Sequence, residues 1–115
     1  MSAWRHQAFE QLPEFRTTLQ EAENPYAYWI ELQLHFADVC RDENVDLAQR
    51  ILAYADWCLD QPRGITAADD LMTCVHFCFL EHLPEIASSQ KCRSTFLEAA
   101  KKTRGPFPEE YFQGL

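Results

Sequence analysis

The stretch from Leu71 to Ile86, LMTCVHFCFLEHLPEI, constrains the fold more than any other part of the chain. At about 100° per residue most of its apolar side chains share one wide arc, and the opposite side, which holds Phe77 and Leu80, is hardly polar. A helix that is apolar nearly all round is normally buried by neighbours on several sides. Because His76, Glu81 and His82 interrupt the stretch, it falls short of the roughly 20 apolar residues of a membrane span. The stretch therefore predicts a buried central helix over Leu71–Leu83.

Composition and helix-start signals favour helices in the rest of the chain as well. Only 3 glycines occur in 115 residues, and leucine, alanine, glutamate and glutamine are plentiful. That mixture favours helix over sheet. Asn24–Pro25 combines a favourable N-cap with a proline at the first helical position, and Pro62–Gly64 is a strong break. Thr66 and Asp69 have the spacing of a capping box and predict the start of the central helix.

These signals predict an all-α, single-domain bundle of about five antiparallel helices. Residues 1–23 form an N-terminal helix or a pair kinked at Pro13, and residues 24–104 supply the core helices. Residues 105–115 are expected to dock on the core through Phe107, Tyr111 and Phe112. Stacked helical hairpins of the HEAT type are an alternative, although no repeat of about 34–47 residues is visible.

Charge and cysteine usage restrict the classes of partner and the compartment. The formal net charge is −8, which argues against nucleic acid and against an anionic membrane surface, since both need a basic protein face. It is compatible with a basic protein partner, or with solubility alone. No secretory signal is visible, and the five cysteines occupy apolar helical positions. This pattern predicts reduced, buried thiols in a cytoplasmic protein.

Trp57 is the apolar residue that departs most clearly from the apolar periodicity of its predicted helix. It falls on the polar side of a helix predicted from Asp46 to Asp60, and Arg50, Asp56 and Asp60 around it belong to the same candidate binding face. A tryptophan among charged residues is typical of a protein-binding hot spot. The alternative, at least as well supported, is that Trp57 packs against the first helix or the aromatic segment near residue 110. Further acidic residues assigned to the same binding role lie on the preceding helix: Glu31, Asp38 and Asp42.

Cys74, Cys78 and His82 stand in a line along the central helix. Thiolate and imidazole groups are good zinc ligands. However, two full helical turns separate the first and last of these side chains by about 12 Å, so one ion could not bind both. The favoured interpretation is that the thiols fill the core. No metal and no cofactor is predicted.

Glu81 and His82, together with His35, form a second candidate site. If they are buried, each needs a partner, because an unpaired charge in a core is costly. They could act as acid–base groups at the mouth of a pocket, but a structural pairing with a neighbouring helix is favoured. His35 is also placed to pair with Glu31, four residues earlier. The sequence contains no nucleophile elbow and no glycine-rich phosphate loop.

Two stretches carry a family resemblance, NPYAYWIEL at Asn24–Leu32 and FLEHLP at Phe79–Pro84. They resemble small bacterial helical domains without assigned activity, some of which look like immunity proteins of contact-dependent or polymorphic toxin systems. The resemblance covers the chain from Asn24 to the final helix and implies no catalytic residue. The leading prediction is a non-enzymatic bacterial protein that binds a basic protein, in its sharpest form an immunity-type protein. The alternatives are a small enzyme or metal-dependent sensor using Glu81, His82 and nearby Cys and His, and a structural subunit of an assembly.

Overall fold

The computed structural model describes residues 2–103, apart from the side chain of Ala87. Two 3₁₀ turns, Pro13–Phe15 and Leu80–His82, interrupt a chain that is otherwise mostly α-helical. The α-helices are α1 Ala3–Gln11, α2 Arg16–Glu21, α3 Pro25–Arg41, α4 Val45–Leu59, α5 Leu71–Cys78, α6 Leu83–Ser88 and α7 Gln90–Lys102. No strand occurs in this part of the chain, and the all-α prediction is confirmed. None of the helices in residues 2–103 is both long and apolar enough to cross a bilayer.

The two longest helices begin at asparagine caps. The Asn24 side chain accepts a hydrogen bond from the Ala27 amide at 2.9 Å, and Asn44 accepts one from Leu47 at 3.2 Å. Each cap satisfies an amide that has no partner within the helix. Pro25 is the first residue of α3, as its missing amide hydrogen predicts.

Within residues 2–23, α1 and α2 form the kinked pair rather than one helix. Pro13 opens a 3₁₀ turn that separates α1 from α2. The Arg5 guanidinium closes the pair, because it donates to the carbonyl of Leu19 at 2.8 Å and to that of Ala22 at 2.6 Å. Its central carbon also lies 4.5 Å from the ring centroid of Trp4. One cation therefore joins the N-terminal helix to the end of the next.

The prediction of one continuous central helix over Leu71–Leu83 is wrong. Helix α5 ends at Cys78, and Phe79 leaves the helical conformation with φ −129° and ψ −62°. Pro84, near the start of α6, cannot donate to a carbonyl four residues earlier, so a continuous helix would lose a hydrogen bond there. The expected burial by neighbours on several sides is found in part, since α5 packs against α3 and α4 but Phe77 is 58% exposed.

The break at Phe79 places an aromatic ring at the centre of the core. Phe79 is fully buried, with ring centroids 5.0 Å from Trp29 and 5.1 Å from Phe36. Phe36 in turn meets Phe96 of α7 at 6.2 Å, and Trp29 stacks on Tyr54 of α4 at 5.4 Å. These contacts join α3, α4 and α7 around one buried cluster. Burial of such large rings dominates core energetics.

The start of α5 also differs from the predicted capping box. Thr66 does donate to Asp69 at 2.8 Å, but this pair closes a separate turn. The helix begins at Leu71, with Asp70 in the N-cap position. The buried Asp70 carboxylate accepts from the Thr73 hydroxyl at 2.6 Å. Asp70 therefore lies between the Thr66–Asp69 turn and the helix. Its carboxylate accepts hydrogen bonds from Gly64 in the preceding loop and from Thr73 in the helix.

Candidate functional site

The outer face of α4 carries an open groove of about 540 Å³. Its lining consists of Ala53, Asp56, Trp57, Leu59 and Asp60. The opposite face of α4 is buried against α1, α5 and α7. Trp57 stands at the boundary between the two faces and is half-buried. We call this feature the α4 groove.

Trp57 is held by a stack of aromatic rings that begins in the core. Its ring lies nearly parallel to that of Tyr54, with 10° between the planes and 6.0 Å between centroids. Tyr54 is fully buried, stacks on Trp29 and donates its hydroxyl to the carbonyl of Trp4 at 3.1 Å. Because these supporting groups are close-packed, the Trp57 ring is presented on a rigid base. Sequence reasoning considered α1 or the segment near residue 110 as its packing partner, whereas this contact comes from Trp57's own helix.

The α4 groove carries negative charge that residues 2–103 do not neutralise. Asp56 and Asp60 lie one helical turn apart, and neither takes part in an ion pair within this part of the chain. Burial raises the pKa of the half-buried Asp56 carboxyl, and the negative charge of Asp60 raises it further. Both effects disfavour the ionised form of Asp56. A cation in the groove would relieve this repulsion.

Arg50, predicted to belong to the binding face, is engaged in structural contacts. Its guanidinium binds both carboxylate oxygens of Glu14, one of them at 2.7 Å. It also lies 3.0 Å from Asp46 and donates to the carbonyl of Gln11 at 3.1 Å. The hydrogen bond to Arg50 holds the pKa of Glu14 below its usual range. Arg50 therefore links α4 to the turn after α1.

The other acidic residues of the predicted binding face lie on α3 or at its end, and none of them lines the α4 groove. Asp38 pairs with Arg41 at 2.7 Å, and Asp42 is the exposed residue that ends the helix. Glu31 borders a separate cleft of about 300 Å³ between α2 and α3. The structure thus divides the predicted acidic face into a groove on α4 and scattered charges on α3.

The predicted buried polar site of Glu81, His82 and His35 is not a buried cluster of paired side chains. Glu81 is exposed rather than buried, whereas Leu80 in the same 3₁₀ turn is buried. His82 is half-buried in the same 3₁₀ turn. His35 stacks on Phe15, with 5.3 Å between ring centroids, rather than pairing with Glu31. His35 therefore packs against the 3₁₀ turn that precedes α2, through Phe15.

The five cysteines are buried and free, as predicted. Cys74 lies 3.6 Å and 3.5 Å from the carbonyl oxygens of Ala67 and Ala68, and Cys78 lies 3.9 Å from that of Tyr26. Burial raises the pKa of the Cys74 thiol to about 12, so the protonated form dominates at neutral pH. In the part of the chain that the structure describes, no group of three or more His, Cys, Asp and Glu side chains is arranged to hold a metal ion.

Two further features lie outside the residues that sequence reasoning selected. The hydroxyl of Tyr28 is buried and has no hydrogen-bond partner among the described residues. Along the outer flank of α3, Tyr26, Ile30 and Leu34 are exposed at intervals of four residues. The four-residue spacing of these apolar side chains could have predicted the exposed flank from the sequence. Nothing in the sequence indicated the unpaired hydroxyl.

Comparisons of the chain with models of protein families, with curated proteins and with solved structures found no match. The resemblance of Asn24–Leu32 and Phe79–Pro84 to small bacterial helical domains therefore stays a prediction. The predicted docking of Phe107, Tyr111 and Phe112 concerns residues outside the described part of the chain.

Proposed function

We propose that this protein is a non-enzymatic protein-binding module that holds a basic partner in the α4 groove. The observation that carries the proposal is the Trp57 ring, which is fixed on Tyr54 beside the carboxylates of Asp56 and Asp60. Rigid aromatic side chains in partly enclosed sites are the usual centres of protein interfaces. Unpaired carboxylates around such a centre favour a partner of opposite charge.

The sharpest form of the proposal is an immunity-type protein of the bacterial cytoplasm that covers the basic active site of a toxin. The net charge of −8 supports it, because an acidic surface speeds encounter with a basic protein. The resemblance of Asn24–Leu32 and Phe79–Pro84 to immunity-like domains supports it as well. The rival hypothesis, a small enzyme or metal-dependent sensor, has less support, since Glu81 is exposed and His35 stacks on Phe15.

The test is affinity capture from the host with matched variants, followed by reconstitution with the purified partner. A Trp57→Ala, Asp60→Lys double variant alters the α4 groove. A Leu34→Ala, Asp42→Lys double variant makes the same kinds of change on α3. We expect the wild-type chain and the α3 variant to retain a basic protein that the α4 variant loses. Equal loss from both variants, or a partner that the α4 variant retains, would contradict the proposal.

A further inference from the structure

The chain itself shows how it holds a guanidinium group. The flat face of Arg5 lies over the Trp4 indole, 4.5 Å from the ring centroid. The edge of the same group donates to the carbonyl oxygens of Leu19 and Ala22. An aromatic face combined with oxygen acceptors at the edge suits the planar, five-donor arginine head group.

The α4 groove presents the same two kinds of group without a cation from residues 2–103. The Trp57 indole lines it together with Asp56 and Asp60, which lie on one side of Trp57 around the helix axis. One helical turn, about 6 Å of rise, separates the two aspartates along α4. The rings of Tyr54 and Trp57 are nearly parallel, so one face of the indole is directed toward its neighbour in the helix. The residue is partly exposed and lines the groove, so part of the indole is available to a ligand from outside.

The charge of the α4 groove favours a cation over an apolar or acidic group. Partial burial raises the pKa of the Asp56 carboxyl, and repulsion from Asp60 raises it further. A positive charge close to both carboxylates offsets their mutual repulsion. A lysine ammonium would also do so, but it is a compact point charge and cannot present one flat face and two donor edges at once.

We propose that the α4 groove receives an arginine side chain of the partner protein, stacked on Trp57 and hydrogen-bonded to Asp56 and Asp60. The inference names the partner's anchoring residue and therefore rests on the proposed function. It explains why a tryptophan stands on the polar face of an acidic helix. The apolar flank of α3 has neither a pair of carboxylates nor an indole at its surface, so it offers no comparable site.

The test is a titration of the isotopically labelled full chain, at low salt, with three small probes followed by NMR. The probes are the N-acetyl amides of arginine, lysine and citrulline, the last being a neutral analogue of arginine. We expect arginine to shift the Trp57 indole signal and the amide signals of Asp56 and Asp60. Lysine should shift them several-fold less at equal concentration, and citrulline should leave them in place. The Trp4 indole, already covered by Arg5, should not respond.

Two variants and one control locate the effect. Trp57→Leu and Asp60→Asn should each weaken arginine binding several-fold, whereas Asp42→Asn on α3 should leave it unchanged. Asp60 is exposed, so its variant keeps the test valid if Trp57→Leu fails to fold. Equal shifts with citrulline, or arginine shifts centred on α3, would overturn the inference. Trp57 signals that change with protein concentration alone would indicate a second copy in the groove and would also overturn it.

The two proposals fail in different ways. A captured partner that needs the α4 groove, but keeps its affinity when its arginines are changed to lysine, would leave the proposed function standing and remove the arginine inference. Arginine binding to the groove without a protein partner in any capture would contradict the proposed function instead.

Discussion

At the scale of single residues, the buried hydroxyl of Tyr28 is a local cost in an otherwise close-packed core. Its ring lies 6.0 Å from Trp4 and 6.1 Å from Tyr54, but the hydroxyl has no partner among the described residues. Burial raises the pKa of this phenol well above its usual range, so it stays protonated. A buried polar group without a hydrogen bond costs about 1–3 kcal/mol.

We therefore expect Tyr28→Phe to leave the free energy of unfolding unchanged or to raise it by about 1 kcal/mol. The matched variant is Tyr54→Phe, which removes a hydroxyl that donates to the Trp4 carbonyl. It should lower the free energy of unfolding by about 1 kcal/mol. Urea denaturation measures both, and a reversed order of the two variants would contradict this account of the core.

Asp70 gives the structure a dependence on acid pH. The hydrogen bond from Thr73 holds the pKa of this carboxyl below its usual value, and the Gly64 amide at 3.3 Å and nearby Arg63 act in the same direction. Because the folded-state pKa is lowered, the stabilisation is fully present above the unfolded pKa. It is lost as the pH falls through the folded pKa.

Asp70→Asn should lower the free energy of unfolding by about 1–2 kcal/mol at neutral pH. The difference from the wild-type chain should shrink as the solution is made acidic. Denaturation curves across the acid range measure it, with the exposed Asp42→Asn as the control. A difference that stays constant with pH would show that the carboxylate charge is not involved.

At the scale of elements, the connection between α3 and α4 contains a strained residue. Glu43 has a φ of 60°, in the left-handed region that side chains with a Cβ adopt at a cost. Glycine adopts this region readily. The turn is held in place because the Asn44 amide donates to the Val39 carbonyl at 3.1 Å.

We expect Glu43→Gly to raise the thermal midpoint and to stabilise the fold by up to about 1 kcal/mol. The neighbouring Asp42→Gly is the control, because Asp42 has an ordinary φ of −81°. Glycine there should destabilise the chain slightly through the added freedom of the unfolded state. Calorimetry on the two variants distinguishes strain relief from a general effect of glycine.

At the scale of the whole molecule, the acidic residues are expected to contribute in two different ways. Under the proposed function, we expect the charges spread over α3 to act at a distance and steer encounter, and those in the α4 groove to touch the partner. With the captured partner in hand, neutralising Glu31, Asp38 and Asp42 together should slow association at low salt and have less effect at high salt. Neutralising Asp56 and Asp60 should mainly speed dissociation. An unchanged association rate in the α3 variant would contradict the steering role.

The sequence by itself determined the helical class, the start of α3 and the burial of the five thiols, and it placed the start of α4 at Asp46, one residue after the observed start. These features depend on local physics. Asn24 and Asn44 cap helices through amides three residues away, and apolar periodicity marks the buried face of each helix. Trp57 could be selected as a candidate because its misfit to that periodicity is also local.

Only the tertiary structure decided the remaining features, because each depends on residues far apart in the chain. The helix breaks at Phe79, whose ring fills the space between Trp29 and Phe36. Arg50 binds Glu14, which lies 36 residues earlier, and therefore does not take part in the predicted binding face. Helical periodicity cannot predict which distant residues meet, because side-chain packing and ion pairing between helices are determined by the arrangement of the whole bundle.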